Sequence, residues 1–160
     1  MRYRTLDEEI EEFIRSKRVV NPLNVTLTEL QICGGIRLDD IISEQNFRHF
    51  RNVLNRKVFG NGYRRFGKEL QMLVVREVST NQRHHIHCVI ELPQRYEFQT
   101  FKNLIFDVWR STDFGYEEIH IEKPSSKERE DGYLGYIMKK RTKVSFEQSI
   151  DWMNSSVLYH

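Results

Sequence analysis

Two adjacent runs constrain this chain most. Residues 70–78 (Leu-Gln-Met-Leu-Val-Val-Arg-Glu-Val) and 84–92 (His-His-Ile-His-Cys-Val-Ile-Glu-Leu) are rich in β-formers and flank the short polar stretch 79–83. That arrangement predicts an antiparallel hairpin. Side chains two apart on a strand share a face. In the second run Ile86, Cys88, Ile90 and Leu92 therefore form an unbroken core face, and His85, His87, Val89 and Glu91 form the other. With the turn centred near Asn81, Glu77 stands directly across from His85 on the histidine face, with Cβ atoms ~5 Å apart.

The rest of the chain fits around this hairpin. Residues 5–17 predict a helix, opened by a Thr5/Glu8 capping box and striped by Leu6, Ile10, Phe13 and Ile14. Residues 24–30 alternate and are β-branched, a strand. Phe47, Phe50, Leu54 and Val58 mark a helix over 44–58, which Gly60-Asn61-Gly62 ends. Phe98, Phe101, Ile105 and Val108 mark another over 97–111, and 116–122 predict a strand. A helix over 126–141 opens at Ser125 and Glu128, weakened by Gly132 and Gly135 at ~1 kcal/mol each. A short helix over about 145–155 closes the chain. The expected fold is α+β: a central antiparallel sheet of about five strands with helices mainly on one face. The 160 residues lack repeats and linkers and make one domain, with a core over about 24–143.

Composition narrows the class. Aromatics at 12% and apolar residues at 39% argue against disorder. Cys33 and Cys88 match no zinc or redox spacing, as expected of a reduced, cytoplasmic protein. No apolar run approaches the ~20 residues of a membrane span. The opening Met1-Arg2-Tyr3-Arg4 lacks the apolar core of a secretory leader.

His85, His87 and Glu77 point to chemistry. Two imidazoles and a carboxylate with open positions suit a catalytic divalent ion, and the mixed N/O set admits Mn²⁺, Mg²⁺ or Zn²⁺. Taken alone, a His-x-His pair also occurs on exposed strands without function. Glu91 lies four residues from His87, ~13 Å of strand, too far to converge easily. The His-x-His plus Glu91 spacing also occurs in cupins. Their flanking glycines are replaced here by Ser79 and Phe98, and the helices oppose a jelly roll.

Downstream runs Gly132-Tyr133-Leu134-Gly135-Tyr136-Ile137-Met138-Lys139. On a helix Tyr133, Tyr136 and Lys139 share a face. A phenol with a cation one turn away can act as a nucleophile toward phosphorus, because the cation favours developing negative charge. The plain reading is an amphipathic packing stripe.

His85-Ile86-His87 followed by Tyr136-x-x-Lys139 resembles the HUH endonucleases, in particular the nuclease domain of rolling-circle replication initiator (Rep) proteins. Asn24-Val25-Thr26-Leu27-Thr28 is similar to that family's first strand motif, and Glu77 stands where many members carry an acidic third ligand. The resemblance covers roughly residues 24–143. It implies a ferredoxin/RRM-like nuclease fold, with Mn²⁺ or Mg²⁺ held by Glu77, His85 and His87. It further implies single-strand DNA nicking by Tyr136 to a 5′-phosphotyrosine and a free 3′-OH, then rejoining. Lys139 would offset charge, and Tyr133 would be a neighbour or second nucleophile. The implied partners are single-stranded DNA or an origin hairpin and a separate host helicase and polymerase. The implied setting is a bacterial plasmid or phage. The spacing of the two tyrosines departs from two-tyrosine members, where it is one position longer.

The net charge of +2 conceals blocks of opposite sign. Asp7, Glu8, Glu9, Glu11 and Glu12 are acidic, whereas 48–68 holds Arg48, Arg51, Arg56, Lys57, Arg64, Arg65 and Lys68 without an acid up to Lys68. Phe59, Tyr63 and Phe66 are interleaved, as in surfaces that pair with phosphates and stack on bases. Lys139, Lys140, Arg141 and Lys143 add a second patch beside Tyr136. The remaining histidines, His49, His84, His120 and His160, have no evident partners. Three competing functions remain: a small single-tyrosine transposase, a relaxase, and a non-catalytic RNA-recognition-like module. The last needs aromatics on central strands, and 84–92 has none.

Overall fold

The computed structural model describes residues 2–78, 84–138 and 149–159. The main sheet contains β1 (Pro22–Glu29), β4 (Met72–Val78), β5 (His84–Glu91) and β6 (Gly115–Glu122). Their order is β4-β5-β1-β6, with every neighbouring pair antiparallel. Helix α2 (Asp40–Phe59) links β1 to β4, and α4 (Phe98–Arg110) links β5 to β6. This is the split βαβ arrangement of ferredoxin-like folds. The expected five strands become four. A separate ribbon pairs β2 (Ile32–Cys33) with β3 (Ile36–Arg37). Its turn is Gly34-Gly35, both at positive φ (56° and 78°), the conformation a two-residue hairpin turn demands.

One sheet face is apolar throughout. Phe47, Phe50, Leu54 and Val58 of α2 and Phe101, Ile105, Val108 and Trp109 of α4 pack on Leu23, Val25 and Leu27 of β1 and on Ile86, Cys88 and Ile90 of β5. Phe50 meets Trp109 edge-on, centroids 5.4 Å apart. Each buried side chain of this size contributes on the order of 2 kcal/mol, so this layer dominates stability. Helix α2 starts earlier than its apolar spacing suggests, because the Asp39 carboxylate accepts from the Ile42 N–H at 2.8 Å. Gly115 allows β6 to pass Trp109: a Cβ there would lie 1.9 Å from the Trp109 carbonyl oxygen.

The other face corrects the expectation of helices mainly on one side. The run Met72-Leu73-Val74-Val75 is apolar at every position, so both faces of β4 need cover. Leu73, Val75 and Val89 are covered by Ile14 of α1 (Leu6–Ser16), by Ile137 and Met138 at the end of α5 (Lys127–Ile137), and by Ile150 and Val157. The expected capping box of α1 forms: Thr5 Oγ1 accepts from the Glu8 N–H, and Glu8 accepts from the Thr5 N–H. The cap of α5 is Ser126 rather than Ser125, accepting from the Arg129 N–H. Arg18, between α1 and β1, pairs with Asp131 of α5 and ties the two covering helices together.

The C-terminal segment closes an edge. Ile150 bridges Val75, and the Ser155 and Ser156 hydroxyls accept from the Val74 and Met72 N–H groups at 2.9 and 3.0 Å. Two N–H groups on the open edge of β4 are thereby satisfied. Of the expected helix over 145–155, residues 145–148 lie outside the described residues, Ser149 is helical, and from Ile150 to Ser155 the chain forms this bridge and a turn instead. A 3₁₀ turn, Ser156–Tyr159, follows.

Candidate active site

The hairpin register places Glu77 opposite His85, Val75 opposite His87 and Arg76 opposite Ile86. Strand β1 lies on the other side of β5, with Thr26 opposite His87 and Thr28 opposite His85. The loop 79–83, with Asn81, lies outside the described residues. Glu77, His85, His87, Thr26 and Thr28 thus share one face, fixed by the pleat.

Within that row the closest contact is diagonal. His87 Nε2 lies 3.1 Å from Glu77 Oε2, and His87 Nδ1 lies 3.3 Å from Thr26 Oγ1. His87 is 6% exposed, so both ring nitrogens meet protein groups in a largely dehydrated setting. His85 is half-buried on the same face. Among the described residues, no three His, Cys, Asp or Glu side chains stand close enough together to hold a metal ion. Glu77 and His87 touch, and His85 keeps its register position beside them. Glu91 is engaged at the far end of β5, accepting from the Gln71 N–H at 3.0 Å.

Helix α5 brings the tyrosines to this face. The Tyr136 ring meets the His87 ring edge-on, centroids 5.7 Å apart and planes at 90°. Tyr136 is 48% exposed. Tyr133, one turn earlier, turns inward. Its hydroxyl donates to the Val25 carbonyl at 2.8 Å. Burial pushes the Tyr133 phenol well above its ordinary range. The two tyrosines therefore differ in kind, one open to a substrate and one pinned to β1. Lys139, Lys140, Arg141 and Lys143 lie outside the described residues.

The basic stretch is not at this site. Helix α2 packs on the apolar face, away from His87. Helix α3 (Asn61–Phe66) follows it and adjoins the start of β4 at Met72. Glu77 is at the opposite end of that strand, roughly 17 Å away. Arg56, Lys57, Arg64, Arg65 and Lys68 are exposed. Among the described residues none of the five pairs with a carboxylate. Arg51 departs from the expectation of a phosphate contact: its side chain is 17% exposed and lies 3.9 Å from Glu69. Arg48 pairs with Glu44 one turn away, Nε to Oε1 at 3.0 Å. Of the interleaved aromatics, Phe66 is 76% exposed, Phe59 packs on the core and Tyr63 donates to Asn52 Oδ1.

Two further polar residues belong to the histidine face. Thr26 pairs with His87 on one side and with His120 of β6 on the other, so His120 joins the same row. The sequence signal for both is the pairing of β1 with two strands at once, which no single run reveals.

No protein-family model matches the chain, and no curated protein or solved structure matches it significantly. The donor chemistry fits a divalent ion. An imidazole nitrogen 3.1 Å from a carboxylate oxygen either donates its N–H to that oxygen or joins it as a ligand to a shared cation. A mixed N/O pair suits Mn²⁺ or Mg²⁺ with further positions left for water and phosphate. Among the described residues no helix is long and apolar enough to cross a membrane.

Proposed function

We propose that this chain is a metal-assisted endonuclease of the HUH type, which nicks single-stranded DNA through Tyr136 and rejoins it, as rolling-circle Rep proteins do. The observation that carries this reading is the meeting of His87, Glu77 and Tyr136. These residues come from three elements, and the exposed phenol abuts the histidine that the carboxylate holds.

Glu77 and His87, with His85 beside them, would hold Mn²⁺ or Mg²⁺. When bound, that ion polarises the scissile phosphate. The phenolic oxygen of Tyr136 forms a bond to phosphorus in line with the departing oxygen. The P–O3′ bond breaks, the 3′ oxygen takes up a proton and the phenol gives one up. The product is a 5′-phosphotyrosine and a free 3′-OH, and a 3′-OH reverses the step. Lys139, three residues beyond Tyr136, offsets charge on the phosphate. Tyr136 suits the nucleophile's role because it is open to solvent, whereas the Tyr133 hydroxyl is committed to the Val25 carbonyl. Arg56, Lys57, Arg64, Arg65 and Lys68 bind phosphates of the same DNA away from the scissile bond, supplying affinity rather than chemistry. Transposition and conjugative transfer use the same chemistry with other DNA ends. A bare-sheet nucleic-acid platform is the weaker reading, because α1, α5 and the C-terminal segment cover the second sheet face.

The test mixes the protein with single-stranded oligonucleotides from its own replicon and Mn²⁺, with and without chelator, and looks for a covalent adduct on a denaturing gel. The expected result is a chelator-sensitive adduct that Tyr136→Phe abolishes and His87→Ala reduces at least tenfold. An adduct that survives Tyr136→Phe but disappears with Tyr133→Phe would overturn the choice of nucleophile. Metal-dependent cleavage left intact by His87→Ala would overturn the metal site.

A further inference from the structure

The end of the molecule away from Glu77 carries cations and an exposed ring. Two chain segments meet there. Strand β4 begins at Met72 opposite Ile90, near the end of β5, and the Glu91 N–H donates to the Gln71 carbonyl at 3.0 Å. Helix α3 leads into β4 and the start of α4 follows β5, so both sit at this end of the sheet. Local devices hold α3 in place. Gly60 and Gly67 flank it at positive φ (54° and 62°), which lets its six residues form a separate short helix. The Tyr63 hydroxyl donates to Asn52 Oδ1 on α2, and Asn55 Oδ1 accepts from the Leu70 N–H at 2.7 Å. The ring left outside is Phe66, 76% exposed. Phe59, Tyr96 and Phe98 pack on the core instead.

The same end is rich in cations. Arg64, Arg65 and Lys68 are exposed. Arg95 lies over the Tyr96 ring and Lys102 Nζ over the Phe98 ring, 5.5 and 5.9 Å from the centroids. A ring fixes a cation without cancelling its charge. The acids of these segments are Glu69, 3.9 Å from Arg51, and Glu97. Fixed positive charge in excess attracts a polyanion. An exposed aromatic face then selects among polyanions, because it gains most from one whose bases are free to stack.

We propose that the end formed by α3 and the start of α4 is a binding site for an unpaired nucleic-acid strand, in which Phe66 stacks on a base and Arg64, Arg65, Lys68, Arg95 and Lys102 take the neighbouring phosphates. This deepens the proposed function and rests on its single-stranded substrate. It adds Arg95 and Lys102, which no basic run in the sequence marks, and it gives the three aromatics of 59–66 different roles. Only Phe66 meets the strand, whereas Phe59 and Tyr63 hold the platform.

The test measures binding by fluorescence anisotropy on the full-length protein with a chelator present, so that no cleavage contributes. The probes are an oligothymidylate and an abasic sugar-phosphate strand of the same length. Wild type is expected to bind the thymidylate about tenfold more tightly than the abasic strand. Phe66→Ala should lose about tenfold on the thymidylate and nothing on the abasic strand, with the salt dependence unchanged, and Phe66→Trp should restore the loss. Arg95→Ala with Lys102→Ala should weaken both strands and lower the salt slope by about 0.7 for each phosphate contact removed.

Thymidylate affinity unchanged by Phe66→Ala overturns the proposal, as does an equal loss on the abasic strand. A salt slope unchanged by the Arg95 and Lys102 substitutions removes α4 from the site. Polyglutamate bound as tightly as thymidylate would assign this end to an acidic protein partner instead. If no covalent DNA adduct forms while binding still depends on Phe66, the nicking reading fails and this site stands. If the adduct forms and binding ignores Phe66, the reverse holds.

Discussion

The two faces of the sheet are built on different principles. Against α2 and α4 the sheet presents almost only hydrocarbon, and what that layer needs is volume and shape. Many apolar side chains of similar size would serve. Against α1, α5 and the C-terminal segment, apolar residues alternate with Thr26, His87 and Glu77. Every buried polar atom there needs a partner of matching donor or acceptor type, so the residue choices are interdependent. A layer that accepts substitution holds the fold together, and a layer that does not is where chemistry is expected. The apolar face has one polar end of its own. The Glu29 carboxylate accepts from the Ser43 hydroxyl at 2.6 Å, and Arg76 donates to that same hydroxyl and pairs with Asp151.

Separate substitutions on the two faces would sharpen this contrast. The largest expected effect is Tyr136→Phe: no covalent DNA adduct on a denaturing gel, with unfolding free energy within about 0.5 kcal/mol of wild type because the ring is half exposed. Retention of the adduct would break the assignment of chemistry to this face. On the other side, Phe50→Ala should cost about 3–5 kcal/mol by denaturant unfolding, since it opens a void beside Phe47 and Trp109. At temperatures where that variant stays folded, its Mn²⁺ affinity should match wild type. A matching loss of metal binding would mean the faces are coupled.

Glu29 gives a smaller, pH-dependent effect. Burial raises its pKa from 4.5 to about 7, so between those values the folded chain holds a proton that the unfolded chain has released. Its contribution is fully present below pH 4.5 and is lost as pH rises toward 7, a decline of about 3 kcal/mol. Glu29→Gln keeps an oxygen for Ser43 and should remove that slope in chemical denaturation measured across the range. A slope that persists would assign it to other groups. The smallest effect belongs to the basic surface around α3. Arg64→Ala with Arg65→Ala should weaken single-strand DNA binding several-fold and reduce the salt dependence by one to two phosphates' worth, about 0.7 in slope each, with adduct formation at saturating DNA unchanged.

Much of the fold is legible in the chain. The hairpin and its Glu77–His85 register follow from two β-rich runs and the length between them, because the side-chain period of a strand is two and leaves one alignment that keeps both apolar faces inward. The cap of α1 is equally local: Thr5 and Glu8 satisfy each other within one turn. Helix α2 extends back to Asp40 because the neighbouring Asp39 caps it, a local signal that the later-starting apolar stripe does not carry. The second covering layer is not legible in the sequence, because the apolar residues that need it, Leu73, Val75 and Val89, read as strand interior without showing what covers them.

The site divides along the same line. Sequence by itself determined which side chains could meet on a face: His85 with His87, Glu77 across from them, and Tyr133 with Tyr136 along a helix. These follow from local periodicity and turn length. Tertiary structure alone decided which of them touch. It turned Glu77 to His87 rather than to the directly opposite His85, set Thr26 against the other ring nitrogen, buried Tyr133 on the Val25 carbonyl and left Tyr136 open beside the histidine. It also set α2, with its cations, against the other sheet face. Such outcomes depend on how α5 packs across the paired strands β1 and β5, contacts between residues far apart in the chain that no local periodicity encodes.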